Sequence, residues 1–128
     1  MRTTALNQIL NELNRHNHAI GGSLVSSQDG LTMASALNDE TSEELVSAMS
    51  AALFSVGTRT SEELDRGELK QVITQSKKGY MVLIQAGSDA ILAVLAQNNA
   101  TLSDILPSAQ EAAKSVSAAL NCAGPTPS

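Results

Sequence analysis

The chain has 128 residues, with 8 Lys and Arg against 13 Asp and Glu, for a formal net charge of -5. Hydrophobic residues make up 42% and charged ones 16%, a globular balance in a length that fits one domain. With one Tyr, one Phe and no Trp, the chain lacks both the basic surplus and the stacking aromatics of a nucleic-acid binder. That argues against nucleic acid as a partner.

The longest apolar runs, residues 90–96 among them, fall far short of the ~20 residues a spanning helix needs. Asn7, Gln8, Asn11 and Glu12 interrupt what would have to be the apolar core of a signal segment. Cys122 is the only cysteine and has no partner for an internal disulfide. The expectation is a cytoplasmic protein without membrane insertion.

Leu6, Ile9, Leu10 and Leu13 recur at helical spacing, which predicts an amphipathic helix over residues 4–16. Residues 19–27 and 31–37 read as strands joined at Asp29-Gly30, since glycine readily takes the positive φ of a type I′ turn. Thr41 and Glu44 have the spacing of a capping box, opening a helix that runs to about Leu64 with Gly67 as its stop. Gly57 within it costs up to ~1 kcal/mol relative to Ala. Three strands follow at 68–76, 80–86 and 89–97, with turns at Lys77-Lys78-Gly79 and Gly87-Ser88. Residues 81–84 and 91–95 are apolar on both faces, so those two strands are central and covered on both sides. The strand at 68–76, with Lys70, Gln71, Thr74 and Gln75, reads as an edge. A last helix carries Ala109, Ala112, Ala113, Val116, Ala119 and Leu120, its start left open by Pro107. The domain spans 4–122, and 123–128 read as a frayed tail. The order is α-β-β-α-β-β-β-α, an α+β fold with helices on both faces of the sheet.

Nothing in the sequence assembles a catalytic group. His16 and His18 lack the further ligands of a closed zinc site and read as solvated residues at a helix end. Gly21-Gly22 lacks the rest of a phosphate-binding loop. No serine lies in a nucleophile elbow, and Glu43-Glu44 and Glu62-Glu63 are helical neighbours whose side chains diverge. Nothing near Cys122 in sequence would depress a thiol pKa. No cofactor, metal or catalytic residue is expected.

The informative anomaly is residues 45–58, which carry no charge. A helix with one face in water normally shows charges there. Taking Leu45, Met49, Ala52 and Val56 as the sheet-facing stripe leaves Ser47, Ala51, Phe54 and Thr58 outward, small residues around an aromatic anchor. The flank Val46, Ser50, Leu53 and Gly57 has the spacing of a helix–helix seam. A third layer of the same domain or a mildly polar solvated helix are the alternatives. A partner or self-association surface is the reading preferred here, because no unassigned segment remains to supply such a layer.

Residues 24–35 (LVSSQDGLTMAS), 79–84 (GYMVLI) and 90–95 (AILAVL) followed by 99–102 (NATL) resemble, in order and spacing, a Roadblock (dynein light chain) family domain of the MglB-like bacterial and archaeal kind. The resemblance covers roughly residues 4–120, and Pro107 departs from it. It implies a five-stranded antiparallel sheet in order 2-1-5-4-3, with the long second helix on one face and the terminal helices on the other. It also implies a homodimer that pairs edge strands, through Leu69, Gln71, Val72 and Ile73, and juxtaposes second helices, through Val46, Ser50, Leu53 and Gly57. The implied partner is a small Ras-like GTPase, docked on Ser47, Ala51, Phe54 and Thr58. The implied function is a non-enzymatic regulator or scaffold, some relatives accelerating GTP hydrolysis. Arg59 and Arg66 read as ordinary surface charges and not as arginine fingers. A small-molecule sensor domain and a structural adaptor without a GTPase are the other readings.

Overall fold

The computed structural model describes residues 2–122; the tail expected at 123–128 lies outside them. Its elements are α1 (Arg2–His16), β1 (Ile20–Ser27), β2 (Thr32–Ala36), α2 (Glu43–Glu63), β3 (Gln71–Ser76), β4 (Gly79–Gln85), β5 (Ala90–Gln97) and α3 (Leu102–Cys122). The strands form one antiparallel sheet in the order β2-β1-β5-β4-β3. Element order and sheet order both agree with the sequence reading.

Burial divides the core in two. Leu6, Leu10 and Leu13 of α1 and Ile105, Ala109 and Val116 of α3 pack with Val25, Val82, Leu92 and Val94 on one face of the sheet. On the other face Val46 and Phe54 of α2 meet Leu24, Leu83, Ile91 and Ala93. The strand alternation sends successive residues to opposite layers. Residues buried at both parities in β4 and β5 therefore need helices on both sides.

Local chemistry fixes the joints, with several corrections. The β1–β2 loop is three residues long, because Ser27 N–H donates to the Leu31 carbonyl and Gly30 N–H to the Ser27 carbonyl. Only Gly30 has positive φ there, at 89°. This is a type I turn completed by a left-handed glycine, and not the type I′ pair centred on Asp29-Gly30. The cap of α2 is Ser42, whose side chain accepts from Leu45 N–H at 3.2 Å. Thr41 instead donates its hydroxyl to Asn38 Oδ1 at 2.8 Å, so the expected capping box does not form. The helix ends at Glu63, with Asp65 rather than Gly67 supplying the first left-handed residue. β3 begins at Gln71 and not at 68. Pro107 lies inside α3, which starts at Leu102 with the Thr101 carbonyl accepting from Ile105 N–H. Its ring leaves only the exposed Ser103 carbonyl without a helical donor.

The main correction concerns the face of α2. Val46, Ser47, Ser50 and Phe54 are buried, whereas Leu45, Met49 and Val56 are exposed. The helix is turned about half a revolution from the expected orientation. Phe54, at 5% exposure, is core and not an outward anchor, because the largest apolar side chain of the helix gains most from leaving water. Ser47 shares a hydrogen bond of 2.6 Å with Thr32 of β2, and Ala51 and Thr58 are half-buried. Of the expected seam, Val46 and Ser50 are buried on the chain's own sheet, whereas Leu53 and Gly57 are half-buried on the β3 side of the helix. A Cβ on Gly57 would stand 2.9 Å from Leu69 Cδ2 and 3.1 Å from Val72 Cγ2, so glycine lets the helix sit close over β3.

Two stability predictions follow from this packing. Gly30→Val places a β-branched residue at positive φ, against Ala48 and Ala51 of α2, and lowers unfolding free energy by ~1 kcal/mol or more in chemical denaturation. Ser50 Oγ is buried with no hydrogen-bond partner among the described residues. Ser50→Ala removes that orphan and improves helix propensity, raising stability by about 1 kcal/mol in the same assay.

Candidate interaction surface

The outward face of α2 is the most unusual surface of the molecule. Leu45, Met49 and Val56 are 62%, 49% and 63% exposed, with Ala48 and Ala52 exposed between them. They lie at one-turn and two-turn spacings, so they form a continuous apolar stripe. Charge returns only at the ends: Glu43 and Glu44 in the first turn, Arg59, Glu62 and Glu63 at the other end. Leu31 and Leu64, at 68% and 61% exposure, add further apolar surface.

Beside the stripe lies an open flank. Leu53, Leu69, Val72 and Met81 pack against the α2-side core but are only partly buried. Gly57 and its neighbours Leu69 and Val72 place this flank on the β3 side of the helix. β3 itself is an outer strand of the sheet, with Ile73 at 37% exposure. The other outer strand, β2, is better protected. Its register shifts against β1, Asn14 of α1 donates to the Ala36 carbonyl at 2.9 Å, and Ser35 hydrogen-bonds Glu43. Bulges and covering side chains of this kind blunt an edge. β3 pairs with β4 without a register shift, and the cover on it is one long hydrogen bond, Gln110 Nε2 of α3 donating to Gln71 Oε1 at 3.4 Å.

The expected site residues are thus brought together in part. Leu69, Gln71, Val72 and Ile73 do line an outer edge. Ser47, Ala51, Phe54 and Thr58 do not form an outward face, and Thr58 spends its hydroxyl on the Phe54 carbonyl. Leu45, Met49 and Val56, assigned inward by the sequence, are the outward group. A signal for this existed: Arg59 and Glu63 continue the same stripe, and charged residues mark the solvent side. His16 and His18 are exposed, and no cluster of His, Cys, Asp and Glu among the described residues can hold a metal ion. No helix among them is long and apolar enough to cross a membrane.

Comparison with known proteins agrees with this architecture. The family model for the Roadblock/LC7 domain matches residues 5–96. An uncharacterized protein of Methanocaldococcus jannaschii is 34% identical over 113 residues, covering 88% of this chain and 97% of its own. The Roadblock/LC7 domain from Streptomyces avermitilis superposes with a TM-score of 0.84 at 24% identity, covering 90% of this chain and 97% of that one. Myxococcus xanthus MglB superposes with a TM-score of 0.89 at 13% identity, over 98% and 95% of the two chains. At such identities the two structures speak for the fold.

The reversed helix face has a direct test. Phe54→Ala empties a core position and costs about 3–4 kcal/mol of stability. Met49→Ser, on the exposed stripe, changes it by less than about 0.5 kcal/mol. Urea denaturation of the two variants beside the unmodified chain distinguishes them.

Proposed function

The chain belongs to the Roadblock/LC7 family, and from that premise we propose that it is a homodimeric regulator or scaffold that binds a small Ras-like GTPase and is not itself an enzyme. The observation that carries this reading is the uncharged, exposed α2 stripe standing next to a regular outer strand with little side-chain cover. A monomer in water would bear the cost of both features. Pairing two β3 edges about a two-fold axis removes both edges at once, by the symmetry most common among oligomers. The same step brings a second copy's α2 toward Leu53, Leu69, Val72 and Met81, whose partial burial it completes.

Two α2 stripes side by side then make one broad apolar platform bordered by charges. That is the anatomy of a recognition surface: large side chains at the centre, polar groups at the rim. Leu45, Met49 and Val56 are the anchors in this reading. They replace Ser47 and Phe54, which are buried on the sheet, and Ala51 and Thr58, which are half-buried at the edges of that contact. No residue of the chain is assigned a chemical step in GTP hydrolysis; its effect on a GTPase is exerted by contact alone.

The test is a titration of Ras-like GTPases from the source cell, loaded with a non-hydrolysable GTP analogue, together with sedimentation of the free protein. The unmodified chain sediments as a dimer at micromolar concentration and binds one of the GTPases. Truncating Met49 and Val56 together to Ser weakens that binding by about 2 kcal/mol, roughly thirtyfold, with the melting temperature retained. A monomer at all concentrations, or unchanged binding by the double variant, overturns the reading.

A further inference from the structure

On the side of the sheet opposite α2, α3 passes the start of β3 and the end of β4 and leaves a cavity there. Gln110, Ala113, Lys114 and Ser117 recur along α3 at spacings of three and four, so they share one face of the helix. That face lines a cavity of about 760 Å³, shared with the segment from Glu68 to Gln71 and with the β4–β5 turn. The volume is that of a small-molecule site. Buried Ile84 and Ala113 give it an apolar floor.

The turn that ends the cavity is tied down on both sides. Ala86 N–H donates to the Ala90 carbonyl at 2.9 Å, and Gln28 Nε2 donates to the Ser88 carbonyl at 2.8 Å. Gln28 also donates its backbone N–H to the Asp89 carbonyl at 3.2 Å. Gly87 has a φ of 92°, and a Cβ on it would stand 3.1 Å from Ser117 Oγ. Glycine thus lets the turn close against α3. These contacts hold the wall in place before any ligand arrives, which lowers the ordering cost of binding.

In an acidic chain this cavity gathers cations. Lys70 and Lys114 line it from two different elements, and neither has an ion-pair partner among the described residues, where Arg15 with Glu12 is the only pair. The carboxylates of α3 lie elsewhere: Glu111 borders the groove between α1 and α3, and Asp104 sits in the first turn. Glu68 is the one carboxylate in the lining. Two neighbouring ammonium groups gain from an anion placed between them, and lysine suits phosphoryl oxygens as a compact point charge. Glu68, Gln71 and Gln110 add acceptors and donors that match hydroxyl groups. No aromatic ring lines the cavity to stack a nucleobase. We propose that it binds the phosphate monoester of a small hydroxylated molecule, a sugar phosphate in class. The phosphoryl group lies between Lys70 and Lys114, and the hydroxyls meet Glu68, Gln71 and Gln110. The site is separate from the exposed α2 stripe and does not depend on what docks there.

Calorimetric titration and amide-resolved NMR of the full chain test this. The probes are glucose phosphorylated on its primary hydroxyl, unmodified glucose and inorganic phosphate. The sugar phosphate moves the amide signals of Gly87, Ser88, Lys114 and Ser117, glucose moves none of them, and inorganic phosphate binds more weakly than the sugar phosphate. Lys70→Ala and Lys114→Ala each weaken sugar-phosphate binding by about tenfold with the melting temperature retained. Lys77→Ala, in the β3–β4 turn, leaves it unchanged. Glu68→Gln removes a carboxylate that repels the phosphoryl group and accepts from the hydroxyls. It therefore tightens inorganic phosphate and narrows the gap between the two ligands. Equal binding by the unmodified chain and the Lys70→Ala, Lys114→Ala double variant overturns the site, as does the absence of saturation at millimolar sugar phosphate. A phosphoserine peptide that binds through the same lysines while the sugar phosphate does not overturns the ligand class.

Discussion

Strand β5 has no side in water. Ala90, Ile91, Leu92, Ala93 and Val94 are all buried, so side chains of both parities must be covered. This one constraint organises the rest. It places β5 in the middle of the sheet, between β1 and β4, and calls for a helical layer on each face. The layers are unequal. α1 and α3 together cover one face, while α2 alone covers the other. Five strands spread over about 19 Å at their usual spacing, whereas one helix is about 10–12 Å wide. A single helix leaves a margin incompletely covered, and here Leu53, Leu69, Val72 and Met81, on the β3 side of α2, stay only partly buried.

That margin links the packing to the function. Small residues dock α2 close to the sheet: Ser47 and Ser50 are fully buried, and Gly57 sits against Leu69 and Val72. The helix buries one aromatic and few other large side chains, so much of its apolar surface is turned outward. Leu45, Met49 and Val56 are thus not strays at the surface but the other half of a helix that is apolar nearly all round. A helix of that composition is normally covered on both sides. The chain itself supplies the sheet, and a second copy with a bound partner supplies what remains.

Much of this architecture was legible before any coordinates. The two buried strands announced themselves as unbroken apolar runs, the meander by its short glycine-bearing turns, and the edge by Lys70, Gln71 and Gln75. The loop at Gly30 was placed correctly, although its hydrogen bonds close three residues and not two. The rotation of α2 is weakly marked in the sequence for a specific reason. Between Leu45 and Thr58 there is no charge to mark the solvent side, and the serines and alanines are compatible with either face. The periodicity of Leu45, Met49, Ala52 and Val56 shows that a stripe exists, and only Arg59 and Glu63 beyond its end mark it as the solvent side.

The sequence by itself determined the element types, the centre and edge of the sheet, and the absence of charge along α2. Those properties are set by local pattern, because strand alternation and helical period are written into consecutive residues. Only the tertiary structure decided which stripe of α2 is buried and which groups of β3 remain free. Burial is a competition between faces, and Phe54 wins it by filling the space above Leu83, Ile91 and Ala93, leaving the more numerous but smaller apolar residues outside. Likewise the open N–H and C=O groups of Gln71, Ile73 and Gln75 follow from the register with β4, since each pairing turns one set of residues inward and offers the alternate set to the next strand.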